Sequence, residues 1–528
     1  MVKTTPQTSF KQLYLISFIE GGVVMVTEIA GAKILTPYFG ASLYSWAATL
    51  SITLLALMSG YYYGGYITTK PKFTSGKKIF LVFLLSGLSV MLMPSIGNFV
   101  MQNTLSLSFF SGLIISELFF LFLPIFLMGM ISPMIIFQIT KKAEDSGRSA
   151  GNIYAISTSG GICFTLIFGF IIIPSFGITL PLRILGLCVI FIAVLLLFKE
   201  KLKEKRLLFP CLLVLFLIAL FISQPKQEQN FLRSSMKVIE HSEGLLGELK
   251  VFDVLSQPPN AEPVVIRKLK INNVQQNFVF RDMPEQSLLY YVNFARQLLK
   301  LLPEKGKALL VGLGAGSLYN VLVKQYKEVE TVEIDKRIYD VGVKYFNMPA
   351  HQNNTITDGR YFINTAKKKY DLIVLDVIIG ESVPAQLVTL ESFKKCYDLL
   401  SPNGALLIEH GGLYRFTGNR FVPSVYKTLQ AAGFYVSMFN PMSNDTLGDV
   451  VFFASKRDID LYSLSISDDV YISAGPLSNY KLPVKLFDAD LAKVMTDDRN
   501  EIDLMLKEHY FEVRKGIRKQ LADNKNKN

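Results

Sequence analysis

The sequence is poor in cysteine and histidine, with four of each among 528 residues. Cys163, Cys188 and Cys211 lie in apolar segments, and only Cys396 lies in the polar half of the chain. Neither a disulfide framework nor a CxxC metal pair can form from this set. The histidines are widely scattered, which argues against a zinc site, so no metal is expected.

The chain also has fewer acidic residues than basic ones. The chain has 55 lysines and arginines against 43 aspartates and glutamates, a net charge of +12. Such an excess invites a nucleic-acid-binding interpretation, but much of it lies in short loops between apolar segments. Lysine in such loops is better explained by membrane topology, and nucleic acid is therefore not predicted as a partner.

Long apolar runs dominate residues 1–225, whereas residues 226–528 have an ordinary globular composition. Seven segments are long enough to span about 30 Å of hydrocarbon; they are 12–34, 43–66, 78–100, 109–138, 151–174, 178–198 and 207–224. The first segment is too long for a signal peptide and has no small-residue cleavage site after it, so it is expected to be retained. The sequence predicts a polytopic α-helical membrane bundle of about seven spans over 1–225, with the lipid bilayer as its partner.

Lysine and arginine concentrate in the second, fourth and sixth loops between these segments. They are Lys70, Lys72, Lys77, Lys78, Lys141, Lys142, Arg148, Lys199, Lys201, Lys203, Lys205 and Arg206. The positive-inside rule then places the N-terminus and these loops in the cytoplasm of a plasma-membrane protein. Seven spans would put the C-terminal half outside the cell, which conflicts with an intracellular nucleoside cofactor. Either the span count is off by one or the domain is extracytoplasmic, and the strong charge bias favours the second interpretation.

Three carboxylates, Glu20, Glu28 and Glu117, interrupt the apolar segments. A charge inside a membrane is costly, so it usually faces the interior of a helical bundle. Two interpretations are equally open. The acids could form a polar path that attracts a cationic substrate, or they could be structural, with Glu28 pairing with Lys33 for example.

The second half changes from short strands to β/α alternation. Residues 236–300 predict a small β subdomain, and residues 301–528 predict an α/β domain. Its apolar strands are expected at 308–311, 329–333, 354–356, 372–376 and 405–409, with helical stretches between them. This alternation is typical of a mainly parallel, Rossmann-like sheet.

A glycine turn follows the first of these strands, with Gly312, Gly314 and Gly316 at alternate positions. The next strand ends on Glu333 and Asp335. In a Rossmann-type unit the glycines let the backbone approach a ligand, and an acid at the end of the second strand binds ribose hydroxyls. We therefore predict a nucleoside-containing ligand here, although a glycine turn in an unrelated α/β sheet would look similar.

Further acids end the later strands, at Asp358, Asp376 and Glu409. Ligands of such folds collect at the carboxyl ends of the strands, and several converging acids suit a ligand that carries hydroxyls and positive charge. Glu409 and its neighbour His410 are assigned no catalytic role.

Residues 240–420 resemble the spermidine synthase (polyamine aminopropyltransferase) family in a series of motifs. The matching runs are 271–276 with L-D-G-x-x-Q, 312–317 with G-G-G-D-G-G, 332–335 with V-E-I-D, 358–362 with D-G-R-x-F, and 370–376 with the strand that ends in the catalytic aspartate. The membrane half resembles the multi-span region of the subgroup in which such a domain is fused to membrane helices. Its matching runs are 37–40, 60–65 and 147–155, together with 496–500 near the C-terminus.

The resemblance implies a methyltransferase-type Rossmann core that binds S-adenosylmethionine or its decarboxylated form. It implies Asp376 as the catalytic residue, and Gln276, Asp358 and Gly359 in the donor site, with Asp358 at the adenine. Tyr291 would line the substrate site. The implied reaction is aminopropyl transfer to an amine in polyamine biosynthesis.

The chain departs from the family pattern at several positions. The aspartate of the glycine loop is Ala315, and the Y-H-E substrate motif keeps only Tyr291. The D-S-S-D-P loop keeps its first acid as Asp376 but lacks the second. Glu381, or the pair Asp497 and Asp498, is a candidate replacement for that acid.

Transfer from a sulfonium compound needs an unprotonated nucleophile in line with the breaking C–S bond, and a base for its proton. Asp376 is the best candidate base; its alternative role is to cap the following turn or to bind the adenine.

Two other functions stay open. One is a methyltransferase or other S-adenosylmethionine-using enzyme that acts on a membrane-delivered substrate. The other is a transporter or sensor with a non-catalytic domain that binds polyamine or nucleoside. A small amine or polyamine is the expected small-molecule partner, and a homodimer is a further expectation.

Overall fold

The computed structural model describes residues 10–40, 42–69, 75–140, 142–199, 236–244, 246–257, 262–272, 274–302, 306–377, 383–413, 419–442, 447–469, 472–483, 489–506 and 518. The chain divides into two compact units, one built mainly on residues 1–230 and the other mainly on residues 249–513.

Residues 10–199, which form most of the described part of the first unit, are helical apart from short connections. Its helices are α1 (Phe10–Phe39), α2 (Leu43–Thr68), α3 (Ser75–Thr104), α4 (Phe109–Phe120), α5 (Phe122–Gly129), α6 (Ile131–Ile139), α7 (Ser146–Ile167), α8 (Ile173–Phe176) and α9 (Thr179–Lys199), with a π-helical turn at Phe168–Ile172. Among the described residues, five helical stretches are long and apolar enough to cross a membrane, namely Phe10–Phe39, Leu43–Thr68, Lys78–Thr104, Phe122–Ile139 and Ala143–Phe176. The segment predicted at 207–224 lies outside the described residues.

The span predicted at 109–138 is not one continuous helix. The chain there forms α4, α5 and α6, which are separated at Leu121 and Met130. Each break lies three residues before a proline, Pro124 or Pro133. Proline removes a backbone donor and its ring crowds the preceding turn, so an uninterrupted helix is disfavoured at both places.

Glycines allow two of these helices to touch backbone to backbone. A Cβ atom on Gly160 of α7 would lie 1.8 Å from the carbonyl oxygen of Phe18 in α1. A Cβ atom on Gly21 of α1 would lie 1.9 Å from the carbonyl oxygen of Ser157. Small residues at such crossings are the usual means of packing helices without a hydrophobic driving force.

Two of the three acids in the apolar segments have hydroxyl partners on other helices. Glu20 accepts hydrogen bonds from Ser132 at 3.1 Å and from Ser157 at 2.9 Å. Glu117 accepts one from Thr49 at 2.5 Å. These bonds tie α1 to α6 and α7, and α4 to α2.

The second unit begins with a five-stranded sheet in sequential order. Its strands are β1 (Met236–Gly244), β2 (Gly247–Ser256), β3 (Val264–Ile271), β4 (Val274–Phe280) and β5 (Met283–Ser287). A register shift in the β3–β4 pair leaves Gln276 as the extra residue between Gln275 and Asn277. This β-bulge interrupts the ladder and redirects the local side chains.

A seven-stranded sheet follows, in the order β11-β12-β10-β9-β6-β7-β8. Its strands are β6 (Lys307–Val311), β7 (Glu328–Glu333), β8 (Asn354–Ile356), β9 (Tyr370–Leu375), β10 (Leu400–Leu413), β11 (Tyr435–Phe439) and β12 (Leu447–Ser455). The five strands expected from the sequence are present and parallel, whereas β12 runs antiparallel to β10 and to β11. A two-stranded pair, β13 (Ser465–Ile466) with β14 (Gly475–Pro476), completes the strands.

The helices of this unit are α10 (Tyr290–Lys300), α11 (Ser317–Leu322), α12 (Lys336–Tyr345), α13 (Gly359–Thr365), α14 (Leu390–Leu399), α15 (Phe421–Ala431) and α16 (Ile502–Met505). Strands β6 and β9 lie at the centre of the seven-stranded sheet, and their apolar residues are fully buried. Parallel strands covered on both faces read as continuous apolar runs, which is why both were visible in the sequence. The carboxyl ends of β6 and β9 set the positions of Gly312 and Asp376, which follow them directly.

Candidate functional site

The glycine loop packs directly on the end of β9. Gly312 has φ +86°, and a Cβ atom there would lie 1.8 Å from the carbonyl oxygen of Asp376. The backbone N–H of Asp376 donates to the carbonyl oxygen of Val311 at 2.8 Å. Gly312 is therefore required for the close approach of the two strand ends, and through it for the position of Asp376.

Gly314 faces open space. Its φ is +52°, and no atom outside its immediate chain neighbours lies within 4 Å of the position that a Cβ would take. Gly316 differs, because a Cβ there would lie 2.6 Å from the sulfur of Met348. Of the three predicted glycines, Gly314 is the one where a ligand could approach the backbone.

Glu333 braces this loop. Its carboxyl accepts the backbone N–H of Leu313 at 3.0 Å and that of Asp335 at 2.9 Å. The residue is 4% exposed. Burial raises the pKa of Glu333 to about 7, against the lowering effect of these backbone hydrogen bonds. Each carboxylate oxygen retains a further lone pair, so the predicted contact with ribose hydroxyls stays a prediction.

The Asp335 side chain makes its contacts at the start of the helix that follows it, α12. Its side chain caps α12 by accepting the backbone N–H of Arg337 at 3.0 Å, and it forms an ion pair with the Arg337 guanidinium. Asp358 likewise caps α13 through the backbone N–H of Tyr361 at 2.9 Å. The next residue, Gly359, packs on the end of β6, because a Cβ there would lie 2.6 Å from a methyl carbon of Val311.

The five-stranded sheet contacts the start of α11. Asn277, next to the bulged Gln276, exchanges hydrogen bonds with Ser317 at 2.8 and 3.1 Å. Ala315 is 1% exposed and packs with buried residues of that sheet, including Leu249 and Leu269. The position that carries an aspartate in the family motif is thus part of an apolar contact here.

The structure brings the side chains of Tyr291 and Asp376 into contact. The Tyr291 hydroxyl donates to the Asp376 carboxylate, at 3.2 Å from Oδ2 and 3.4 Å from Oδ1. Burial raises the pKa of Asp376 to about 7; the charge of Asp449 raises it further, and the Tyr291 hydrogen bond opposes the shift. Burial also raises the pKa of Tyr291 well above its usual range, with Asp376 the next contributor.

Two more acids join this pair. Asp449, on β12, accepts the backbone N–H of Tyr291 at 3.3 Å, and burial raises its pKa to about 6. Glu409, on β10, has a pKa well above its usual range because of burial and then the charges of Asp449 and Asp376. The sequence placed Glu409 at a strand end but gave it no role, and it did not single out Asp449. The one available signal was an isolated acid inside the apolar run of β12.

Two of the acids predicted to replace the missing second aspartate, Asp497 and Asp498, have hydrogen-bond partners in the described chain. Asp497 accepts hydrogen bonds from Arg360 and from Thr389, each at 2.6 Å. Asp498 is exposed and bonds to Thr496. Glu381 lies outside the described residues. Within the described chain, the acids that join Asp376 and Tyr291 from other strands are Glu409 and Asp449.

Comparison with known proteins links this region to one family. The profile of the Spermine/spermidine synthase domain matches residues 293–456. The polyamine aminopropyltransferase of Vibrio vulnificus is 34% identical over 133 residues, which cover 24% of this chain and 44% of that protein. The N-terminal histidine N-methyltransferase of Emericella nidulans is 32% identical over 110 residues, 20% of each chain.

A solved spermidine synthase from Thermotoga maritima covers 47% of this chain and 85% of its own, at 18% identity and a TM-score of 0.36. The chain spans less than half the length of the two curated relatives named above. By the match of residues 293–456 and the identity with these polyamine enzymes, this part of the chain is similar to the spermidine synthase family.

Proposed function

We propose that this protein is an aminopropyltransferase of polyamine biosynthesis that uses decarboxylated S-adenosylmethionine and an amine acceptor. The observation that supports it most is the Asp376–Tyr291 pair at the end of β9, whose backbone touches Gly312 of the glycine loop. A base beside a nucleoside-binding loop is the arrangement that transfer from a sulfonium compound requires.

In the proposed step, the lone pair of the acceptor nitrogen attacks the propyl carbon that is bonded to sulfur. The new C–N bond forms as the C–S bond breaks, and the sulfur keeps the bonding electrons, so methylthioadenosine leaves as a neutral thioether. The attacking nitrogen becomes positively charged and passes one proton to the Asp376 carboxylate. Because the Asp376 pKa is raised to about 7, the carboxylate is both available near neutrality and basic enough to accept this proton.

The donor would occupy the space in front of Gly314, between Gly312 and Gly316. The chain around it fits such a ligand, since the Gly314 backbone is open and Glu333 holds the neighbouring Leu313 N–H in place. Glu333, Asp335, Asp358, Gly359 and Gln276 are the proposed contacts of its adenosyl portion, with Tyr291 on the acceptor side.

Methyl transfer from S-adenosylmethionine is the second candidate. It is favoured by the 32% identity with an N-methyltransferase over 110 residues. Product analysis separates the two reactions. Purified protein incubated with decarboxylated S-adenosylmethionine and diaminobutane should release methylthioadenosine, and the Asp376→Asn variant should not. Release of S-adenosylhomocysteine from S-adenosylmethionine, with no methylthioadenosine from the decarboxylated donor, would replace the proposal by methyl transfer.

We further propose that the helical unit anchors this domain in the plasma membrane, with the bilayer as its partner. Support comes from the five long apolar helical stretches in the described residues. The charge bias of the loops favours an extracytoplasmic domain, whereas the supply of donor favours a cytoplasmic one.

Sidedness needs an introduced cysteine, because Cys396 is 0% exposed and burial raises its pKa to about 12. Gln352 is exposed in the second unit, so Gln352→Cys provides the reporter and the unsubstituted chain is the matched control. Labelling of Gln352→Cys in intact cells by an impermeant thiol reagent would place the domain outside. Labelling only after permeabilisation would place it in the cytoplasm and exclude the extracytoplasmic interpretation.

A further inference from the structure

The loop of residues 495–501, just before α16, is stabilised by its own polar side chains. The Thr496 hydroxyl accepts the backbone N–H of Arg499 at 3.2 Å and donates to the Asp498 carboxylate at 2.7 Å. Short-range bonds of this kind are typical of side chains that stabilise a turn. They do not involve the Asp497 carboxylate, which makes its contacts with other parts of the α/β domain.

Two side chains of this loop bind the segment that leads into α14. The Asp497 carboxylate accepts the hydroxyl of Thr389 at 2.6 Å. The side-chain amide of Asn500 donates to the carbonyl oxygen of Ala385 at 2.8 Å. The two bonds are four residues apart on the partner segment, so together they hold its whole length, residues 385–389, against the loop.

The Asp497 carboxylate also forms an ion pair with Arg360, in the first turn of α13. Nη2 of Arg360 donates to Asp497 at 2.6 Å. Nη1 donates to the carbonyl oxygen of Gln386 at 3.2 Å and to the Thr389 hydroxyl at 3.3 Å. The Arg360 side chain is 13% exposed, and a charge so far removed from water is costly unless it is paired. The pair with Asp497 therefore favours one arrangement of the Arg360 guanidinium.

Arg360 connects these contacts to the proposed donor site. It directly follows Asp358 and Gly359, two of the proposed contacts of the adenosyl portion. A Cβ atom on Gly359 would lie 2.6 Å from a methyl carbon of Val311 and 3.4 Å from a methyl carbon of Leu387. The Gly359 backbone is thus held between the end of β6 and the segment that leads into α14. Any movement of that segment would change the backbone on which the adenosyl portion is proposed to lie.

We propose that Asp497 and Asn500 are positioning residues for the donor. Through Arg360 and the segment that leads into α14, they fix the backbone of Asp358 and Gly359 against which the adenosyl portion binds. This inference rests on the proposed function, and it assigns Asp497 to the donor side of the site. Both residues act through other groups, so their effect falls on the affinity for the donor and not on the chemical step.

The test measures KM for the donor and for the acceptor in the wild type, Asp497→Asn and Asn500→Asp. Asp497→Asn removes the charge that faces Arg360. Asn500→Asp removes the hydrogen bond to Ala385 but keeps the oxygen that accepts a backbone N–H at the start of α16. Asp458→Asn, at an exposed loop position, is the matched control.

Each variant should raise KM for decarboxylated S-adenosylmethionine by about threefold to tenfold, the loss expected for one hydrogen bond to a charged or partly exposed group. The kcat and the KM for diaminobutane should change less than about twofold, because only donor binding is weakened. A role in stability alone would lower the folded fraction, and with it kcat, while KM for the donor stayed unchanged. That result, or equal rises in the two KM values, would overturn the inference.

Arg360→Gln tests whether Asp497 acts through Arg360. In the double variant with Asp497→Asn, the rise in donor KM should be smaller than the product of the two single effects, because residues in one hydrogen-bond network are coupled. A rise equal to that product would show that Asp497 acts independently of Arg360, and would overturn the proposed connection.

Turnover and positioning can fail separately. If the wild type releases no methylthioadenosine, the proposed function is wrong, and calorimetry with methylthioadenosine as the probe then tests the donor site without the reaction. Weaker binding of the probe to Asp497→Asn and Asn500→Asp than to Asp458→Asn supports the positioning role. Equal binding by all of them, or no binding by the wild type, rejects it.

Discussion

Asp376 should make the protein less stable as the pH rises, and Asp376→Asn should remove this effect. The Asp376 pKa is raised from 3.8 to about 7 by burial, with the Asp449 charge as a smaller contributor. A group whose folded-state pKa is raised contributes stability that is present below its unfolded pKa and is lost as the pH rises through its folded pKa. The loss therefore falls in the window between the unfolded and the folded values and is complete above the latter.

The size of the effect follows from about 1.4 kcal/mol for each unit by which the pKa differs. The pH range from about 5 to about 8 includes about two of the three pKa units between the unfolded and the folded value. The free energy of unfolding should therefore fall by at most about 3 kcal/mol over this range. Asp376 is partly exposed, so solvent screening should reduce this to roughly 1–2 kcal/mol. Asparagine has the same shape and can still accept the Tyr291 hydroxyl, so little else changes.

Thermal unfolding of the purified full chain at the two pH values measures this directly. Relative to the wild type, Asp376→Asn should gain roughly 2–8 °C in Tm between about pH 5 and about pH 8, at about 2–4 °C per kcal/mol for a domain of this size. Asp458→Asn should follow the wild type at both pH values. If Asp376→Asn follows the wild type as well, the Asp376 carboxyl does not have a raised pKa, and the account of it as a base near neutrality is refuted.

The remaining predictions concern catalysis and the glycine loop. The rate at low acceptor should rise with pH through about 7 as Asp376 loses its proton; a rate that falls over this range would exclude an ionised Asp376 as the base. Tyr291→Phe should move the inflection to higher pH, because the Tyr291 hydroxyl lowers the Asp376 pKa, and should cost about tenfold in kcat; an unmoved inflection would show that the hydrogen bond is absent in solution. Gly312→Ala should unfold at lower temperature, by an amount worth about 2 kcal/mol or more, because its methyl would collide with the Asp376 carbonyl. Gly314→Ala, with open space around it, should fold nearly as well but bind donor more weakly, and the reverse order of stability would contradict the loop geometry.

The sequence predicted the sheet well because its central strands are buried on both faces. Residues 308–311 of β6 and 372–375 of β9 are unbroken apolar runs, and they are followed directly by Gly312 and Asp376. The family resemblance, and no periodicity in the sequence, assigned Tyr291 to the substrate site and Asp376 to catalysis. Residue spacing alone does not show that the first turn of α10 approaches the end of β9.

Other features depend on contacts that a linear pattern does not contain. Asp449 enters the site because β12 runs antiparallel beside β10, and β/α alternation does not predict that pairing. Asp335 forms an ion pair with Arg337, and Asp497 forms one with Arg360; the sequence positions of these acids do not indicate either partner. The single span expected at 109–138 failed for a local reason, since Pro124 and Pro133 each follow a break in the helix.

The most direct test of the account is the rate of methylthioadenosine release from decarboxylated S-adenosylmethionine and diaminobutane, for the wild type and for Asp376→Asn, at about pH 8. The account predicts steady release by the wild type and a loss of about a hundredfold or more in the variant, as expected when a general base is removed. Equal rates for the two proteins, or no methylthioadenosine from the wild type, would contradict it.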